Sequence, residues 1–259
     1  MGVEDAIDTI PADHYARQMA GPELAPEPSG EPRMATPAAP QQGVPQTGVF
    51  RKENAGQPAD EAIAAAKKVA EACETVQALE AAVSTFDGCA LKQGCKNTVF
   101  MDGTIGADLL VIGEAPGRDE DRLGKPFVGR AGQLLDRMLA AIGRSREENT
   151  LISNVIFWRP PGNRTPTAIE TSICRPFVDR LIDLTAPKAV ILAGGAPMQA
   201  LLGISGIMRS RGTWREIETK NGTWPALPIY HPAFLLRQPA QKRLAWTDLQ
   251  NLAERLKED

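Results

Sequence analysis

From Glu61 to Ser84 apolar side chains return at Ile63, Ala66, Val69, Ala70, Cys73, Val76, Leu79 and Val83, the spacing of a helix with one buried face. A leading amphipathic helix over 61–85 is expected. After Gly88 the rhythm shortens: Asn97–Phe100 reads as a short strand, Asp102-Gly103 as a turn, and Asp108–Ile112 as a buried strand. Ala131–Ile142 returns to helical spacing through Leu134, Leu135, Met138, Leu139 and Ile142, and Leu151–Ile156 is a second core strand. Pro166-Thr167 opens a helix reaching Thr185, Ala189–Leu192 is a third strand, Gly194–Leu202 is helical, and Leu227–Tyr230 is a fourth strand ending at His231. Pro239 caps a last helix with Ala245, Leu249, Leu252 and Leu256 inward. Strands alternating with helices predict a three-layer α/β/α fold around a central, mostly parallel four-stranded sheet.

The first 60 residues look different. They hold nine of the 21 prolines and almost no periodicity, so 1–60 is expected to be a disordered Pro/Ala-rich acidic tail, with 61–259 the folded domain. A short segment, Ala12–Met19, could turn helical and dock a partner that the sequence does not identify. The tail has nine acidic and four basic residues; the remainder has 23 and 25. The net charge of −3 therefore belongs to the tail, and any nucleic-acid contact would rest on local patches. No apolar run is long enough to span a membrane, and Met1-Gly-Val-Glu-Asp lacks the features of a signal peptide. A cytoplasmic monomer is expected. Four cysteines without a secretion signal point to thiols rather than disulfides.

The stretch Val111-Ile-Gly-Glu-Ala-Pro-Gly-Arg-Asp-Glu-Asp-Arg-Leu-Gly-Lys-Pro-Phe-Val-Gly-Arg-Ala-Gly132 runs from a strand through a Gly/Pro-broken loop into a helix. In α/β folds a small ligand sits there, beyond the carboxyl end of a strand. Gly113-x-x-x-Gly117 lacks the spacing of a dinucleotide fingerprint, no Gly-Lys-Ser/Thr follows, and four carboxylates would repel a pyrophosphate. With Ser153-Asn-Val155, Arg159-Pro-Pro-Gly-Asn-Arg164 and His231-Pro-Ala-Phe-Leu-Leu-Arg237, this stretch resembles the uracil-DNA glycosylases, specifically family 4. The resemblance covers the chain from about Phe86 onward. It implies hydrolysis of the uracil–deoxyribose bond in single- or double-stranded DNA, leaving an abasic site for base excision repair. The alternative is a protein of the same fold that binds damaged or uracil-containing DNA without turnover. A related branch that links covalently to DNA uses an Arg-rich insertion and a further histidine, neither of which the folded part has.

Each task of that reaction has a candidate. The carboxamide of Asn154, one acceptor and two donors in a plane, matches N3–H and O4 of uracil. His231, one of two histidines, suits donation to uracil O2 as negative charge develops there. The resemblance implies Phe127 as the stacking surface for the flipped base, and Gly113 and Ala115 as parts of the pocket. Glu114 and Glu120 are the candidate carboxylates to act on water or on the sugar cation. The resemblance implies Glu114 for positioning water or His231, and Glu120 would approach the base near C5, where a thymine methyl would clash. Better-known uracil glycosylases carry Asp where Ala115 stands. Phe234, Leu235 and Leu236, with Leu235 at the tip, suit a wedge filling the gap left by the base. Arg237, Arg211, Lys242 and Arg243 are candidate phosphate contacts.

Family 4 also implies a 4Fe–4S cluster on four cysteines. Here Cys89 and Cys174 keep two ligand positions, while Lys92 and Trp158 stand at the others. Two thiolates cannot hold a cubane that needs four. Cys95 and Cys73 could substitute only from other places in the fold, and Cys73 reads as a packed thiol on the first helix. No metal or cofactor is therefore expected.

Overall fold

The computed structural model describes residues 57–257. The expected tail therefore lies outside the described residues for positions 1–56, as does the Ala12–Met19 segment.

The leading helix is two helices, α1 (Gln57–Glu71) and α2 (Val76–Thr85). α1 begins four residues before the expected boundary at Glu61. The break falls at Cys73-Glu74-Thr75, where the Thr75 hydroxyl accepts from the Ala78 amide (3.1 Å) and caps a new helix. Apolar spacing runs straight through, because both helices bury the same stripe: Ala66, Ala70, Val76, Leu79 and Val83 lie in one cluster.

The sheet has six strands among the described residues, not four: β1 (Met101–Gly103), β2 (Leu109–Gly113), β3 (Thr150–Asn154), β4 (Ala189–Ala193), β5 (Arg215–Glu218) and β6 (Thr223–Ile229). Their order is β1-β3-β2-β4-β6-β5. The four expected strands form its parallel centre, and β1 and β5 join the two edges antiparallel. β1 takes the residues expected to turn, Asp102-Gly103, whereas Asn97–Phe100 is irregular. β5 escaped because only Ile217 of its four side chains is buried.

Residues of the central strands alternate between two cores. Leu110, Ile112, Val190 and Leu192 pack under α1, α2, α5 (Ala168–Thr185) and α6 (Gly195–Leu202). Leu109, Val111 and Ile191 pack under α4 (Arg130–Ala140) and α9 (Lys242–Arg255). That is the three-layer α/β/α arrangement. α5 starts on a reciprocal cap: the Glu170 amide donates to the Thr167 hydroxyl (3.2 Å), and the Thr167 amide to Glu170 Oε2 (2.8 Å). The remaining short helices are α3 (Arg118–Leu123), α7 (Ile207–Ser210) and α8 (Pro232–Arg237).

No described helix is long and apolar enough to cross a membrane.

Candidate active site

Three strands of the parallel centre end on the same edge of the sheet, and each delivers one part of a cleft of about 500 Å³. β2 ends at Gly113 and runs into Glu114; β3 ends at Asn154; β6 is followed by Tyr230 and His231. Glu114, Ala115, Glu120, Phe127, Asn154, His231 and Arg237 all line this space, with Pro160, Asn163 and Arg164 on a further wall.

Gly113 makes the cleft possible. A Cβ there would collide with Asn154 Oδ1 and with the Phe127 ring, so only glycine lets the two approach the strand end together. Asn154 is 2% exposed, yet its carboxamide has no hydrogen bond among the described residues. The carboxamide borders the cleft, where its hydrogen-bonding groups stay open to a ligand.

Phe127 is buried, and its ring lies 5.7 Å from that of His231 at 28°. His231 caps α8: its Nδ1 accepts from the Ala233 amide (3.1 Å). With Nδ1 an acceptor, the proton of the neutral ring is on Nε2. Burial, helped by the Arg237 charge and opposed by Glu120, lowers the His231 pKa to about 4. The imidazole is thus a neutral Nε2–H donor at ordinary pH. Glu114 has no partner for its carboxyl among the described residues, and burial raises its pKa.

Glu120 lines the cleft and also holds its loop. Its Oε2 accepts from the Gly117 amide (3.1 Å), and its Oε1 from the amides of Val128 (3.0 Å) and Gly129 (2.9 Å). A carboxylate accepting from three amides clamps the loop, with one acceptor site still open to the cleft. The Gly117-x-x-Glu120 spacing, a helix-capping pattern, was the signal for this role.

Two of the expected DNA contacts are corrected. The segment after His231 is helix α8, and its turn puts Pro232 and Leu235 on the inner side. Leu235 is 1% exposed and packs with Leu134, Met138 and Leu249, so it is no wedge tip. Phe234 and Leu236 are half-buried, and Phe234 leans on Tyr230 (4.9 Å). Arg211 pairs through two nitrogens with buried Asp248 and lies over the Tyr230 ring (5.5 Å). It braces the residue before His231 instead of facing solvent. Arg237, Lys242 and Arg243 are exposed.

The residues present do not fit a four-cysteine cluster. Cys89 and Cys174 are buried together: their mutual hydrogen bond holds the Cys89 thiol below its usual range and, with burial, pushes Cys174 well above it. Cys95 donates to the carbonyls of Leu91 (3.2 Å) and Arg159 (3.3 Å), and Cys73 to that of Val69 (3.2 Å). Trp158 is fully buried against Phe157, donating from Nε1 to Thr98 Oγ1 (3.1 Å), and Lys92 pairs with Asp87 (2.7 Å). No three His, Cys, Asp or Glu side chains among the described residues are placed to share a metal ion.

An amide and a neutral imidazole at the ends of parallel strands, with an aromatic ring from the loop before α4, define an α/β protein with a small cleft at the carboxyl edge of its sheet. Residues 100–250 match the family model of the uracil DNA glycosylase superfamily. The chain is 32% identical over 186 residues to the type-4 uracil-DNA glycosylase of Sulfurisphaera tokodaii, covering 70% of this chain and 84% of that one. Against the type-4 uracil-DNA glycosylase of Archaeoglobus fulgidus it is 36% identical over 171 residues, 64% of this chain and 85% of the other. The Pyrobaculum aerophilum protein of that name is 36% identical over 172 residues, with 64% and 86% covered. The chain belongs to the uracil-DNA glycosylase superfamily.

Proposed function

We propose that this protein is a uracil-DNA glycosylase that hydrolyses the bond between uracil and deoxyribose and leaves an abasic site for base excision repair. The observation that carries the reading is the unpartnered carboxamide of Asn154 beside Phe127 and His231. A carboxamide on the cleft wall with its donors and acceptor unused can pair with the edge of a base.

The base leaves the helical stack and enters the cleft. Its face rests on Phe127. Asn154 accepts from N3–H and donates to O4; cytosine, with an amino group at position 4 and no N3 proton, meets the wrong groups on both counts. As the N-glycosidic bond lengthens, the sugar gains positive and the base negative charge. The Nε2–H of His231 donates to O2, and because the ring is neutral it stabilises the anion without giving up its proton. Glu114 supports the water that attacks C1′. The carboxylate takes a proton as the C–O bond forms, the C–N bond breaks, and uracil departs as the anion. Ala115 leaves room beside this water.

On the DNA, Leu236 takes the place of the expected wedge tip, next to Arg237. Arg237, Lys242 and Arg243 offer phosphate contacts on the exposed side. The protein acts as a cytoplasmic monomer and needs no iron, the cysteine region being filled by side chains. Iron analysis of the purified protein would return no stoichiometric metal.

The test is incubation with a labelled oligonucleotide carrying one uracil, single- and double-stranded, followed by alkali. Scission at uracil and none at a thymine control is expected. Binding without scission would replace the enzyme by a damage-binding protein, and neither would end the reading.

A further inference from the structure

Phe127 holds a backbone conformation that residues with side chains rarely adopt, with φ at 53°. Such strain costs on the order of 1–3 kcal/mol and persists only where the surroundings impose it. Glu120 fixes the two amides that follow. The residue itself is held from behind by Arg146, in the connection between α4 and β3. Arg146 Nη2 donates to the Phe127 carbonyl (2.9 Å) and Nη1 to the Pro126 carbonyl (3.1 Å). Its other hydrogens go to Asp102 (2.8 Å) and twice to Asp136 (2.7 and 3.0 Å). All five donors of the guanidinium are used.

The arrangement is rigid at each remove. Asp136 belongs to α4 and Asp102 to β1, so the fork ties the Phe127 turn to a helix and a strand at once. The carbonyl of Arg146 accepts from the Thr104 hydroxyl (3.2 Å), which anchors the arginine's own backbone. Gly132 completes the fit, since a Cβ there would strike the Phe127 carbonyl. Arg146 is only 11% exposed and does not line the cleft.

We infer that Arg146 is a positioning residue for the excision reaction, gripping two successive carbonyls so that the Phe127 ring stands as a preformed platform beside His231. The inference rests on the glycosylase reading. Its physical content is preorganisation: a ring already in place is not ordered at the expense of binding when the base arrives. Lysine could keep the charge but not the fork, since one ammonium cannot reach both carbonyls and both carboxylates in a plane.

The experiment is a double-substitution cycle. Single-turnover excision and the binding of free uracil are measured for the wild type, Arg146→Met, Phe127→Ala and the double variant, with Arg146→Lys alongside. Arg146→Met should slow excision by about 10- to 100-fold, the scale of a misplaced binding group, and weaken uracil binding. It should leave affinity for uracil-free DNA unchanged. Arg146→Lys should fail as Arg146→Met does. In the Phe127→Ala background the same loss should shrink to about two-fold or less, the limit for independent sites. An equal loss in both backgrounds, or full activity in Arg146→Lys, overturns the inference. If Arg146→Met does not fold, Asp136→Asn, which weakens two of the five bonds, carries the same cycle. A wild type that binds uracil without excising it fails the glycosylase reading alone, and the platform is then judged by uracil binding in the same proteins. One that does neither sinks both.

Discussion

Asn154 and Trp158 are four residues apart on one connection, and the protein treats their polar atoms in opposite ways. Around Asn154 the carboxamide and the Glu114 carboxyl have no partners among the described residues. Around Trp158 the indole N–H is paired with Thr98, Cys95 with two carbonyls, and Cys89 with Cys174, inside a cluster of Phe86, Phe100, Phe157 and Phe177. Interiors normally look like the second region. The first lies open on the cleft, and the second is filled by packed side chains. The contrast separates what this fold needs for chemistry from what it needs to stand.

The sharpest way to break that contrast is to remove the two side chains that would hold the base. Asn154→Ala and His231→Ala should each lower kcat/KM for a uracil oligonucleotide by about 100- to 1,000-fold, the range for losing one donor aimed at developing charge. Asn154→Ala should at the same time leave the melting temperature nearly unchanged, because the carboxamide makes no hydrogen bond among the described residues. A large loss of stability with little loss of rate would show that Asn154 belongs to the core. Gly113→Ala comes next, at about 10- to 100-fold, since the new methyl would displace both Asn154 and Phe127. Unchanged rates in Gly113→Ala would mean that the strand end is looser than its packing shows.

A smaller effect, of several-fold, should appear in the pH profile. Glu114 is raised from the ordinary value of 4.5, so excision should fall as pH drops through its elevated pKa. His231 stays neutral until about pH 4, and thus does not set that limb. Glu114→Gln should lower the rate and flatten the acid limb; a limb that survives unchanged would assign it elsewhere. Stability has its own dependence. The folded His231 binds its proton less readily than the unfolded chain, whose value is 6.5, so its contribution is complete above that pH and is lost as pH falls from 6.5 towards 4. Glu114, raised in the fold, works in the opposite direction over its own range.

The legible parts of this site were those carried by strand ends. Gly113, Asn154 and His231 each close an apolar run, so their convergence followed from the parallel order of β2, β3 and β6. What stayed hidden depends on distant partners. Arg146 lies in Arg144-Ser-Arg-Glu-Glu, a run that reads as solvated charge, and its role exists only because Asp102, Asp136 and two carbonyls meet it. Arg211 read as a phosphate contact for the same reason, Asp248 being 37 positions away. Leu235 was misread because three apolar residues after a histidine look alike until the helix turn decides which one faces inward. β5 could have been found: Asn221-Gly222 after Arg215–Glu218 is a hairpin signal.

The smallest effect on chemistry, and the finest test of the contrast, lies at Trp158. If the aromatic region only supports the fold, Trp158→Ala should cost stability through the cavity and the stranded Thr98 hydroxyl, about 3–5 kcal/mol. For a domain of this size that is on the order of 10 °C in Tm. Well below the new melting temperature, excision should stay within about two-fold of wild type, the tolerance for sites that do not share partners. Trp158→Phe should recover most of the stability, since it restores ring packing and removes the indole N–H that must be paired. A rate that falls with either substitution while the protein remains folded would join the two regions through the connection that carries both Asn154 and Trp158. The unpaired amide would then depend on how tightly that aromatic cluster is filled, and the closed region would be part of the catalytic scaffold.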